Sequence, residues 1–268
     1  MAKKTLVRTT VEWLATRFGV ELVPRWRVER RELASHLKDV FRQTDVDTVI
    51  DVGANRGQYR DFLRTEVDYA GPIHSFEPVS GLSEFLKARA ADDPHWYIHH
   101  CALGRTEGET TINVMRNDQF TSILPPKATG LNDYDIKNSI EEVQTVALRR
   151  LDAVVAGIPA LASSRRIYLK IDTQGFDLEV FGGAGAVLDQ VVALQSEVSM
   201  LPLYEGMPDY KASIAVYNEH GFEVSGLFPI VRDQYLRVVE FDCVTVRQDR
   251  VRPIGEATPR ATSRAGTA

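Results

Sequence analysis

The sequence predicts a doubly wound α/β sheet, mostly parallel with an antiparallel edge strand, from three observations. Apolar strands alternate with helical patterns along most of the chain. The first strand runs straight into a glycine-punctuated turn, Gly53-Ala54-Asn55-Arg56-Gly57, and the next apolar run ends in Glu77. The last two strands are joined by a connection too short for a crossover helix, which makes them an antiparallel hairpin at the sheet edge.

Taken in order, residues 6–40 read as helix. Val11, Leu14, Phe18 and Leu22 form one apolar stripe, Pro24 interrupts it, and Leu33, Leu37, Val40 and Phe41 resume it. Its arginine-rich middle reads as a solvated face, with a lid or a homodimer surface as alternatives. Strand one is 48–52, followed by a helix over 57–65 with Tyr59, Phe62 and Leu63 inward. Strand two is 73–77 with a helix over 81–91, and strand three is 96–103. Residues 109–115, mostly β-branched, read as an added strand. Residues 116–142 are polar and rich in breakers, a loop whose length points to function or disorder. Strand returns at 143–148. Strand four is 166–172 with a helix over 178–188, and strand five is 191–198 with a helix over 208–220 closed by Gly221 in a left-handed position. Residues 222–227 and 238–246 form the closing hairpin.

The chain of 268 residues is expected to form one large domain over 45–249, with a helical extension over 1–44 and a disordered tail over 250–268. A net charge of −5 argues against a nucleic-acid partner, because phosphate backbones reward basic surfaces. Cys101 and Cys243 lie in apolar segments without Cys-x-x-Cys spacing and read as buried thiols, as in a reducing cytoplasm. The basic N-terminus lacks a continuous apolar region, and no apolar run reaches membrane-spanning length. The expectation is a soluble cytoplasmic protein with no transmembrane segment.

A strand that opens into Gly-x-x-x-Gly, beside a strand that ends in an acid, makes a nucleoside-binding edge. The turn lets a ligand approach the backbone, and Glu77 accepts hydrogen bonds from ribose hydroxyls. Asp51 is placed to meet an ammonium group, and the turn's N–H groups a carboxylate. The spacing of Gly53, Asn55 and Gly57 differs from the Gly-x-Gly-x-x-Gly of dinucleotide enzymes. It resembles the first motif of S-adenosylmethionine methyltransferases, whose sheet is Rossmann-like. Pro78 follows the acid, and Cys101, Ala102 and Leu103 end strand three, where small apolar residues offer a flat surface to an adenine ring. Ordinary strand core is the alternative for Cys101.

The densest polar cluster is Lys170-Ile171-Asp172-Thr173-Gln174-Gly175-Phe176-Asp177-Leu178-Glu179, at the end of strand four. Methyl transfer to an alcohol needs an in-line approach and somewhere for the proton to go. Asp172 is the candidate base, and Glu197, ending strand five, adds a second carboxylate to the same edge. The pair could share proton work, orient sugar hydroxyls or hold a divalent cation such as Mg2+. Lys170 is the candidate to neutralise the cluster. Asp177 and Glu179 equally well decorate a helix N-terminus. His99 and His100 read as satisfied strand histidines and His220 as a helix cap. Asn117, Gln119, Ser122, Gln174 and Tyr204 are candidate acceptor contacts, with solvated-loop and core roles as the alternatives.

Five stretches together resemble the FkbM family of S-adenosylmethionine-dependent methyltransferases. They are Val49 to Gly57, Ser75-Phe76-Glu77-Pro78, Ala102-Leu103-Gly104, Leu169 to Gly175 and Gly182-Gly183-Ala184. The likeness covers residues 47–247 and implies a class I methyltransferase fold that acts on hydroxyls of sugars, glycolipids and natural products. It also implies cofactor roles for Asp51, Gly53, Asn55, Gly57 and Glu77, and a reaction centre around Asp172. Many members carry Glu where this chain has Gln174. The N-terminal extension and residues 116–142 align poorly, as acceptor-selecting segments would.

The reading is therefore an O-methyltransferase with a small-molecule or glycan acceptor. Two rivals are a nicotinamide-dependent oxidoreductase and a non-catalytic nucleoside-binding module. The first would want Gly-x-Gly-x-x-Gly and a Tyr–Lys proton donor, and neither is evident.

Overall fold

The structure, a computed structural model, describes residues 30–130 and 132–253 together with Arg17. Most of the helix expected over residues 6–29, and the tail beyond 253, lie outside the described residues. In chain order the elements are α1 (Arg31–Thr44), β1 (Thr48–Val52), α2 (Gln58–Thr65), β2 (Ile73–Phe76), α3 (Ser80–Ala90), β3 (Trp96–His99), β4 (Ala102–Leu103) and β5 (Gly108–Met115). A 3-10 turn (Asp118–Phe120) and α4 (Asn132–Lys137) precede β6 (Ile140–Arg149), α5 (Leu151–Gly157), α6 (Pro159–Ala162) and β7 (Ile167–Ile171). The chain closes with α7 (Asp177–Gly182), a 3-10 turn (Gly185–Asp189), β8 (Val191–Ser199), α8 (Tyr210–Glu219), β9 (Phe222–Arg232), β10 (Val238–Arg247) and a last 3-10 turn (Gln248–Arg250).

Seven strands form the main sheet in the order β3-β2-β1-β7-β8-β10-β9. Its central strands β1 and β7 are buried along their whole length, which is why they read as unbroken apolar runs. Strands β3, β2, β1, β7 and β8 pair in parallel, and the closing hairpin inserts β10, antiparallel to both β8 and β9. From β1 the chain winds outward through β2 and β3, then returns to β7 on the other side. The junction of β1 and β7 is thus a topological switch point, where the carboxyl ends of open sheets leave a crevice.

Both faces of the sheet are covered. One core joins Ile50, Val52, Leu169 and Ile171 to Val155, Phe181 and Tyr217 from α5, α7 and α8. The other joins Val49, Ile73 and Tyr168 to Leu37, Leu63 and Leu86 from α1, α2 and α3. The apolar stripe of α1 therefore belongs to the domain core rather than to a free surface, while its charged side stays exposed.

Several elements differ from expectation, each for a local reason. Strand three breaks at His100-Cys101: the Cys101 N–H turns back to the His99 carbonyl (3.2 Å), and Gly104 N–H donates to Arg149 O (2.9 Å). The second half is thereby β4, edge of a separate three-stranded sheet ordered β4-β6-β5. The helix expected over 178–188 stops at Gly182-Gly183. A Cβ on Gly183 would lie 2.0 Å from the Gly104 carbonyl oxygen, so glycine lets the two segments touch. Two short helices, α5 and α6, fill residues 151–162, to which the sequence reading assigns nothing. The described residues between β5 and β6 are tied down by the antiparallel pairing of those strands and by a bridge between Asn113 and Ser122. Gly221 is left-handed, as expected (φ 81°).

Candidate active site

A cavity of about 400 Å³, a size that suits a small organic ligand, lies at the switch point. Gly53, Asn55, Glu77 and Pro78 line one part, next to Cys101, Ala102 and Leu103. Lys170, Asp172, Gln174 and Glu197 line another, with Glu240 and Asp242 beyond them in strand order. Asn117, Gln119 and Ser122 of the insertion line it as well.

The glycine turn is shaped by its neighbours. Gly53 has φ 81°, and a Cβ there would lie 1.9 Å from the Asp172 carbonyl oxygen, so only glycine lets the ends of β1 and β7 come together. Gly57 (φ 83°) does not line the cavity; its missing Cβ makes room for Trp96 and Arg89. The turn's amides do not wait for a ligand carboxylate as the sequence reading expects. Gly53 and Ala54 N–H donate to Phe76 O, Asn55 N–H to Glu77 Oε2, Arg56 N–H to Gln58 Oε1 and Gly57 N–H to Ala54 O. The cationic side chains lining the cavity are Arg30, Lys137 and Lys170.

Glu77 is 3% exposed, and its oxygens accept N–H bonds from Asn55 (2.8 Å) and Val79 (2.9 Å). Burial outweighs those bonds and pushes the carboxyl up to about 7. Each oxygen keeps a lone pair for a further donor. Burial also pushes the Cys101 thiol up to about 11, so it meets a ligand as a neutral, soft surface.

Asp51 sits elsewhere than expected. It is fully buried and off the cavity wall, where it accepts a hydrogen bond from Ser75 Oγ (3.0 Å) and pairs with Lys170 Nζ (3.1 Å). The parallel register places Asp51 opposite Lys170, so the acid meets this chain's own ammonium. Lys170 Nζ also lies 3.3 Å from Asp172 Oδ2. Burial opposes its charge, but Asp172 and Asp51 together hold it protonated. It neutralises the cluster as the sequence suggests.

Asp172 and Glu197 are both half-buried, and 37% of the Asp172 side chain is exposed. Burial disfavours its charge, yet Lys170 and the hydrogen bonds of Gln174 and Glu197 hold it below the usual aspartate range. Glu197 moves the other way: burial, then the charges of Glu240, Asp172 and Asp242, raise it well above an ordinary glutamate. The two carboxyls are thus driven apart, Asp172 towards its ionised form and Glu197 towards its protonated form. Among the described residues no group of three or more His, Cys, Asp or Glu side chains is arranged to hold a metal ion. The alternative of a cation such as Mg2+ at Asp172 and Glu197 fits poorly, because both Asp172 oxygens and Glu197 Oε2 already face the Gln174 amide or the Lys170 ammonium.

The insertion roofs the cavity through hydrogen bonds of its side chains and backbone. Asn55 Nδ2 donates to Asp118 O (3.1 Å), Arg56 Nε to Asp118 Oδ2 (2.7 Å) and Ser122 Oγ to Gln174 O (2.7 Å). Asn117 caps the 3-10 turn by accepting from Gln119 N–H. Gln119 is exposed on the rim and is the acceptor candidate with its side chain most free. Tyr204 does not line the cavity; it is 1% exposed, and its hydroxyl lies 2.7 Å from Phe120 O and 3.0 Å from Gln174 Oε1.

His74 and His99 stack with Nδ1 and Nε2 3.0 Å apart, and burial lowers both to about 4. They are a neutral pair away from the cavity, in line with the satisfied-strand reading.

Sequence reasoning missed Glu240 and Asp242. Their i, i+2 spacing on the last strand was the available signal, but only the pairing of Asp242 with Glu197 shows that they face the site. Gln195 Nε2 donates to Asp242 (2.6 Å), and Ser199 Oγ to Glu240 (2.9 Å). Burial pushes Asp242 up to about 6 and Glu240 to about 7. Glu77, Glu240 and Asp242 thus bind protons more tightly folded than unfolded, so stability falls as pH rises from about 4 to about 7. Glu240→Gln should gain about 1–3 kcal/mol at pH 8 and nothing at pH 4, as measured by urea denaturation at both.

A parallel sheet with one reversed strand inserted near its edge, and a ligand-sized cavity at the switch point, defines the class I methyltransferase fold. The chain belongs to the FkbM methyltransferase family: the Methyltransferase FkbM domain matches residues 51–224. Among solved structures it is similar to a methyltransferase FkbM from Methylobacillus flagellatus KT (16% identity, TM-score 0.44), covering 75% of this chain and 44% of that one. The chain thus spans less than half the length of that protein. It is also similar to a SAM-dependent methyltransferase from Aquifex aeolicus (11% identity, TM-score 0.37), covering 81% of this chain and 98% of that one. A third is Aeropyrum pernix fibrillarin with natively bound S-adenosyl-L-methionine (11% identity, TM-score 0.44), covering 82% and 76%. No curated protein matches the chain.

Proposed function

We propose that this chain is an S-adenosylmethionine-dependent O-methyltransferase whose acceptor is a hydroxyl of a saccharide, glycolipid or glycosylated natural product. One observation carries the reading. A single cavity is lined both by a nucleoside-type crevice, Gly53, Asn55 and Glu77, and by the Asp172–Glu197 pair. Glu77 fits the cofactor because it is a buried carboxylate on the cavity wall with no cationic partner at hydrogen-bond distance among the described residues, which ribose hydroxyls would supply with donors. Ala102, Leu103 and the neutral Cys101 thiol suit an adenine face, and Arg30 suits a carboxylate.

When bound, the cofactor supplies a methyl group on a positively charged sulfur. The protein's part is to hold the acceptor hydroxyl in line and to take its proton as the new C–O bond forms and the C–S bond breaks. Asp172 performs this, its carboxyl being held below the usual aspartate range and 37% of its side chain being exposed. The proton then leaves to solvent. Lys170 and the hydrogen bonds of Gln174 and Glu197 keep Asp172 charged and oriented between turnovers. Gln119, on the rim, is the proposed acceptor contact from the insertion.

The test is incubation with methyl-labelled cofactor and fractionated cell glycans, with and without a chelator. Label in a glycan fraction that survives mild base and is indifferent to chelation is expected, since an ether withstands base and no metal enters the scheme. Label only in protein or nucleic acid would overturn the acceptor class.

A further inference from the structure

We infer that Gln174 is the positioning residue of the carboxylate pair, clamping Asp172 to Glu197 with its side-chain amide while the roof of the cavity holds that amide in place. This rests on the methyl-transfer reading and deepens it. Gln174 Nε2 lies 3.0 Å from Asp172 Oδ1 and 2.6 Å from Glu197 Oε2, so its two N–H bonds are divided between the two carboxyl groups. A glutamate in the same place could never offer two donors. The opposite end of the amide is also fixed. Oε1 lies 3.0 Å from the Tyr204 hydroxyl, and the Gln174 backbone carbonyl accepts from Ser122 Oγ at 2.7 Å.

Only one orientation satisfies these partners. Turned over, the amide would point its oxygen at two carboxyl groups and its NH2 at the hydroxyl of Tyr204. Gln174 itself sits at φ 52°, a conformation uncommon for residues with side chains, and the next residue, Gly175, at φ 93°. The turn is thus bent to bring the amide across from β7 to β8. Ser122 belongs to the insertion, and the Tyr204 hydroxyl also lies 2.7 Å from Phe120 O of the insertion. Seating the roof and assembling the pair are therefore one event, and an acceptor that displaces the roof would loosen the pair.

The groups that set the charge on Asp172 are Lys170 and Asp51 from β7 and β1, Glu197 from β8, Glu240 and Asp242 from β10, and Asp177 from α7. Of these acids Gln174 hydrogen-bonds only Asp172 and Glu197 among the described residues, so a change at Gln174 removes the clamp directly.

The test is a 13C NMR titration of the Asp172 carboxyl, assigned with Asp172→Asn, in wild type, Gln174→Met and Tyr204→Phe. It needs no turnover. The clamp predicts that the Asp172 titration rises by about one unit or more in Gln174→Met. It predicts a smaller rise in Tyr204→Phe, where the amide is free to turn. A Gln174→Met titration that overlays wild type overturns the clamp, and so does an unmoved titration in Tyr204→Phe should Gln174→Met fail to fold. Labelled-methyl assays run alongside separate the two readings. A wild type that transfers no methyl but shows the titration shift would refute the enzyme assignment and leave the clamp standing. Wild-type transfer with no shift in either variant would do the reverse.

Discussion

Replacing Asp172 by asparagine should slow methyl transfer about 10²–10⁴-fold and leave the affinity for S-adenosylhomocysteine within about threefold. The asymmetry follows from geometry. Asp172 lies on the part of the cavity wall formed at the ends of β7 and β8, next to Lys170, Gln174 and Glu197, whereas the crevice for the nucleoside is built from β1, β2 and β4. Asparagine keeps the shape and can still accept from Gln174, but it cannot take a proton. Its neutral amide also leaves Lys170 with Asp51 alone as ion partner. Single-turnover rates and calorimetric titration of the same preparation separate the two quantities. A variant that transfers methyl at the wild-type rate would remove Asp172 as the proton acceptor.

The second large effect is on folding. Gly53→Ala should cost about 3 kcal/mol or more, or prevent folding. The new Cβ would fall 1.9 Å from the Asp172 carbonyl oxygen, a backbone atom in a buried sheet that has no rotamer by which to move away, and the residue would keep a φ of 81°. Gly81→Ala is the matched control. Nothing lies within 4 Å of its added Cβ, and it sits inside α3, where alanine is the better helix former. Equilibrium denaturation should show Gly81→Ala within about 1 kcal/mol of wild type, at or above it. Equal stabilities for the two variants would contradict the close approach of β1 to β7.

The parts of this architecture visible in the sequence are those governed by local rules. β1, β2, β7 and β8 are short apolar runs buried on both faces, with glycine or acid at their exits, and their spacing leaves few topologies. Glu77, Lys170, Asp172 and Glu197 could be placed on one edge because each ends or nearly ends such a strand. What stayed hidden depends on pairing between distant segments. Asp51 looks like a ligand for an ammonium until the register sets it against Lys170. Tyr204 looks like an acceptor contact until its hydroxyl is seen against Gln174. Glu240 and Asp242 lie beyond a hairpin with three register shifts, so counting residues cannot tell which side of the strand they occupy. The break between β3 and β4 is set by recruitment of Ala102 and Leu103 to β6, nearly fifty residues further on.

The direct measurement of the central idea is a calorimetric titration of wild type and Glu77→Gln with S-adenosylhomocysteine and, separately, with NAD. Wild type is expected to bind S-adenosylhomocysteine, more tightly at pH 8 than at pH 6 because Glu77 titrates near 7 and its ionised form accepts the ribose hydroxyls. Glu77→Gln should lose at least about tenfold in affinity, since one ribose acceptor becomes a donor, and NAD should give no heat. No heat from S-adenosylhomocysteine with the wild-type chain, or tight binding of NAD in its place, would contradict a nucleoside crevice at the β1–β2 edge.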